Sequence, residues 1–144
     1  MALAPDRTRL AEHFALCSPL SLEDLCEAIR RCFSLPEFDL DCENETEWGS
    51  VFHEGLEYNV SRPFEDGTLQ AWDSSVPAGC NFGVSISVCT DRGEPRDAEH
   101  SAAQLVPRIG QALADLLRVP IHHHRTWLGP GHDITRAQVF RPST

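Results

Sequence analysis

An α+β fold, with two helices packed on one face of a mostly antiparallel sheet, is what this chain of 144 residues predicts. Three observations carry it. Two segments repeat their apolar residues at helical spacing, several others alternate apolar and polar residues, and the strands expected over residues 37–62 follow one another with no helix between them. The last point disfavours a doubly wound parallel sheet, whose strands need crossover connections.

Residues 10–17 fit either a short strand or a helix, and Ser18-Pro19 ends them. Leu22, Leu25, Cys26, Ile29, Cys32 and Phe33 then mark a helix over residues 21–33. Ser21 and Asp24 form a variant of the capping box at its start, and Pro36 lies beyond its end. From 37 to 47 every odd position is a carboxylate: Glu37, Asp39, Asp41, Glu43, Glu45 and Glu47. Phe38, Leu40 and Cys42 stand between the first of them. Alternate side chains of an extended chain point to opposite faces, so the run predicts six acids in one stripe along a strand.

Trp48-Gly49-Ser50 reads as the turn into a second strand over 51–62. Its even positions Phe52, Leu56, Tyr58 and Val60 are apolar, and its odd positions include His53, Glu57 and Asn59. A loop rich in Pro, Asp, Gly and Ser follows over 63–80. Phe82, Val84, Ile86 and Val88 then alternate with Gly83, Ser85 and Ser87 in a third strand, entered by a tight turn in which Asn81 is expected to bond local amides. Residues 98–117 trace a second amphipathic helix, which Pro107 must kink or begin. Strands over 119–128 and 134–140 flank a Gly129-Pro130-Gly131 turn.

The hydrophobic share of 41% and charged share of 24% are those of an ordinary globular chain, here one domain over residues 1–144 that needs no metal or disulfide staple. All 12 basic residues are Arg; against 22 acids they leave a formal charge of −10. Nucleic acid and anionic membranes are therefore excluded as partners, whereas a basic protein is drawn in. With no apolar run of about 20 residues and no basic-then-apolar leader, the expected location is cytoplasmic. The six cysteines form no CxxC pair and are expected mostly as small buried hydrophobes.

No GxSxG, HExxH, Walker or GxGxxG motif is present, so no catalytic residues are assigned. His122 and His124 share a face of their strand, with His132 across the next turn; a small metal-dependent enzyme built on these three is the alternative reading, and a host adaptor module another.

Small size, acidity, the helix over 21–33 and the acidic run over 37–47 together resemble the immunity proteins that bacteria make against their own polymorphic and contact-dependent toxins. The resemblance implies a stoichiometric inhibitor, without cofactor or resident metal, that binds a cognate toxin domain, often a basic nuclease. Charge then assigns the contact: Asp39, Asp41, Glu43, Glu45 and Glu47 present carboxylates to the toxin's cationic surface, with Trp48, His53 and Glu57 beside them.

Overall fold

A computed structural model describes residues 8–43, 46–63, 79–90, 95–127 and 134–143, with side chains for 12–43, 46–62, 79–87, 104–123 and 138–143. In chain order the elements are β1 (Thr8–Leu16), α1 (Leu22–Phe33), β2 (Asp39–Glu43), β3 (Thr46–His53), β4 (Leu56–Pro63), β5 (Phe82–Thr90), α2 (Pro95–Leu117), β6 (Ile121–Trp127) and β7 (Ile134–Phe140). The strands form one antiparallel sheet in the order β2-β3-β4-β5-β1-β6-β7. Both helices lie on the same face: α1 over β3 and β4, α2 over β1 and its neighbours. This is the expected α+β architecture. No described helix is long and apolar enough to cross a membrane.

The two helices start and stop for local reasons. Ser21 caps α1, its hydroxyl accepting from the Asp24 N–H at 3.1 Å. At the other end Ser34 is left-handed (φ 56°, ψ 48°), and the Ser34 and Leu35 N–H groups both return to the Arg30 carbonyl. Leu22, Leu25, Cys26 and Ile29 bury the inner face of α1, and a truncation such as Leu25→Ala would cost about 2–5 kcal/mol. The second helix begins earlier than the sequence suggests, at Pro95, and runs through Pro107 without ending.

One open alternative is decided and two expectations are corrected. Of the strand and helix readings of residues 10–17 the strand holds: residues 8–16 are β1, which lies inside the sheet between β5 and β6. The Trp48-Gly49-Ser50 segment is not a turn but the middle of β3; the chain reverses instead between Glu43 and Thr46 and at Glu54-Gly55. Glu54 (φ 51°) and Gly55 (φ 81°) supply the two positive φ angles of a tight hairpin, so the single strand read over 51–62 is two. Finally, Asn81 bonds a distant partner. Its Oδ1 accepts from the Ser18 N–H at 2.9 Å and its Nδ2 donates to the Ser18 carbonyl at 2.8 Å, pinning the exit of β1 to the entry of β5.

Each short hairpin pairs odd positions of one strand with even positions of the next, which decides what meets the core. Phe14, Leu16, Val51, Tyr58, Val60, Phe82, Val84, Ile86 and Ile121 face the helices. Phe52, one residue beyond Val51, faces away and is 64% exposed. Glycine is required at two contacts. A Cβ on Gly110 of α2 would run into the Phe140 ring, and one on Gly49 would come within 2.9 Å of both Cys26 Sγ and Leu40 Cδ2. Of the five cysteines with described side chains, all free thiols, Cys26 and Cys80 are buried but Cys17, Cys32 and Cys42 are exposed, so the expectation of mostly buried cysteines fails.

Candidate functional site

The acidic run turns back on itself. Asp39, Asp41 and Glu43 belong to β2, the terminal strand of the sheet, all five residues of which are exposed. Cross-strand partners place Asp39 beside Ser50, Asp41 beside Trp48 and Glu43 beside Thr46, on the face away from the helices. Glu47 has passed through the turn onto β3 and therefore sits on the opposite face, where it pairs with Arg62 (3.5 Å), whose guanidinium lies over the Phe82 ring. The six-acid stripe thus becomes three aligned acids on one strand. Glu45 lies outside the described residues.

Of the aromatic and polar neighbours, only Trp48 joins this group directly. His53 points to the helix side at the far end of β3, 3.8 Å from Glu54. Glu57 shares the outer face but lies on β4, opposite Phe52. Among the described residues, Asp39, Asp41 and Glu43 make no ion pair; Asp41 Oδ1 instead accepts from the Cys42 N–H at 2.8 Å.

Round the edge of β2, between it and α1, lies a groove of about 350 Å³. Cys26, Phe38 and Leu40 converge there over the bare backbone of Gly49 and make its apolar floor; Glu23, Asp24, Glu27 and Glu37 line it with carboxylates. Glu27 is committed already: hydrogen bonds from Arg30 (2.8 and 2.6 Å) and Arg31 (3.0 Å) hold its carboxyl down at about 2. Burial, reinforced by the Glu47 charge, pushes the Cys26 thiol up to about 12, which leaves it protonated and a poor nucleophile. Leu40 is 49% exposed, an apolar side chain left open at a sheet edge.

One pair of titratable residues was not visible in the sequence. Glu12 of β1 and His123 of β6, each 2% exposed, meet through Oε2 and Nε2 inside the helix-side core. The imidazole lies between Phe14 and Phe140, with ring centroids 5.1 and 6.3 Å away, and Gln138 Nε2 stands 3.2 Å from Nδ1. Gln138 can donate to Nδ1 or, with its amide turned over, accept from it, so either form of the ring is served. Sealed from solvent, the pair fastens β1 to β6; it offers no access to a substrate.

The histidine run therefore splits. His122 and His124 occupy outer-face register positions, His124 opposite His13, whereas His123 between them enters the core. His132, the third ligand of the metal-enzyme alternative, lies outside the described residues, and among those described no three His, Cys, Asp or Glu side chains are placed to hold a metal ion. No family model matches this chain, and neither the curated proteins nor the solved structures compared with it give a match.

Proposed function

We propose that this chain is an immunity protein that binds a cognate bacterial toxin domain, a basic nuclease, through the acidic β2 edge. The observation that carries the reading is that Asp39, Asp41 and Glu43 project from a terminal strand with no ion pair among the described residues, next to Trp48. Carboxylates crowded at two-residue spacing repel one another, and a cationic surface relieves that repulsion on binding. A nuclease must present cations to phosphate, so the surface it needs for its substrate is the one this edge attracts. Such a protein inhibits by occupying the substrate path, without chemistry of its own.

The test is the association rate with the toxin domain encoded by the gene immediately upstream. Charge reversal of Asp39 and Asp41 to Lys should slow association roughly tenfold or more and flatten its dependence on salt, with the melting curve unchanged. Unaltered kinetics in the folded variant would remove this edge from the interface.

A further inference from the structure

We propose that the β2 edge takes up an eighth strand from its partner, one with consecutive rather than alternating Arg or Lys residues, and that the middle cation enters the α1–β2 groove. This rests on the reading above and adds the shape of what is bound.

Among the described strands, β2 pairs on one side only. The Cys42 N–H bonds the carboxylate of its own neighbour Asp41, so it points away from the ladder with β3. Strand alternation turns the Leu40 N–H the same way. Natural edges are usually blunted by Lys, Pro, a bulge or a covering element; Asp39–Glu43 holds no Lys, Pro or bulge and no described strand lies on its outer side, which leaves its acids. Acids discourage a second copy from pairing here, since like charges directly opposite destabilise a ladder. They do not discourage a basic strand.

An added strand would project alternate side chains to the two faces of the sheet. On the outer face they meet Asp39, Asp41 and Glu43; on the helix face they meet the groove. The groove combines the apolar floor of Phe38 and Leu40 with the carboxylates of Glu23 and Glu37. That combination suits a long side chain with an apolar stem and a cationic head, and is wasted on a short or purely apolar one. Because both faces of the edge are acidic, cations at adjacent positions are used and cations at alternate positions satisfy one face only.

Two isomeric peptides of equal charge separate this from general electrostatic attraction: Ac-Thr-Val-Arg-Arg-Arg-Val-Thr-amide and Ac-Thr-Arg-Val-Arg-Val-Arg-Thr-amide, each titrated into the isotope-labelled full chain. The first should shift amides over residues 38–42 and 23–27, protect the Leu40 and Cys42 amides from exchange, and bind roughly tenfold tighter than its isomer. Glu23→Gln with Glu37→Gln should erase that preference, while Asp39→Asn with Asp41→Asn should weaken both peptides. Equal binding of the isomers, or a preference that survives loss of Glu23 and Glu37, overturns the strand-and-groove proposal but leaves the acidic edge in place. Shifts absent from β2 with either peptide overturn both.

Discussion

Glu12 and His123 form a contact that water does not reach, and its value is asymmetric. Replacing His123 alone takes from the buried Glu12 the imidazole that it meets, and losing a buried hydrogen-bond partner costs about 1–3 kcal/mol. His123→Leu should therefore lower stability in urea by that order, whereas Glu12→Leu with His123→Leu should recover part of the loss, because the two polar groups that meet in the core are then removed together. Additive losses in the double variant would show that the two residues do not act as a unit. Gly110 gives a second test at this scale. Ala is better than Gly within a helix by about 1 kcal/mol, but the added methyl meets the Phe140 ring, and overpacking costs about 1–3 kcal/mol. Gly110→Ala should be net destabilising on thermal melting, and Gly110→Ala combined with Phe140→Leu less so; stabilisation by the single change would refute the close packing.

Among the elements, α2 does double duty: its last turns and Arg118 just beyond them hold the residues that follow β7. Gln111 Nε2 donates to the Arg141 carbonyl (2.8 Å), Arg118 Nη1 to the Ser143 carbonyl (3.0 Å), and Asp115 Oδ1 accepts from the Ser143 N–H (2.7 Å). That Ser143 hydrogen bond, with help from Gln111 and Arg118, lowers the Asp115 carboxyl below its ordinary value of 3.8. A lowered carboxyl contributes stability that is complete above the ordinary value and disappears as pH falls through the lowered one. The Ser143 amide resonance should thus titrate with a midpoint below 3.8 and lose this transition in Asp115→Asn. A midpoint at or above the ordinary value would mean that the carboxylate is not what holds the segment.

How much of this was legible depends on whether the signal was local. The first helix could be read almost to the residue because Ser21, the 3–4 spacing of Leu22, Leu25, Cys26 and Ile29, and Pro36 all act within it. The hairpins could not. Glu54-Gly55 is a weaker turn signal than Asn-Gly, and Gly49 contributes no apolar side chain at a position that faces the core, so β3 carries no clear period. That miss propagated to the site: Asp39, Asp41 and Glu43 share a face as the alternation implies, but the unrecognised turn put Glu47 on the other side. In the histidine run, period-two reasoning paired His122 with His124 and so passed over His123, whose burial depends on Glu12 more than a hundred residues away.

For the whole molecule the governing fact is strand order. Among the described strands the two edges are β2 and β7, while β1 stands fifth of seven and borders β5 and β6. Two of the six ladders, β1 with β5 and β1 with β6, are therefore closed by strands far apart in the chain, and removing the last two strands should not merely shorten the sheet. A chain ending at Arg118 loses Ile121 and His123 from the core and leaves β1 open along one side. It should show no cooperative unfolding transition by circular dichroism; a sharp transition would mean that β1 to β5 and the two helices are stable by themselves.

That order also constrains how the protein is made. A ribosome delivers the strand over residues 8–16 first, yet both of its neighbours emerge only after residue 82, and the second only after residue 121. Until residues 82–90 are made this segment waits with two unsatisfied sides, and until 121–127 are made with one, so synthesis of the strand over 121–127 sets the moment at which the sheet can close round it.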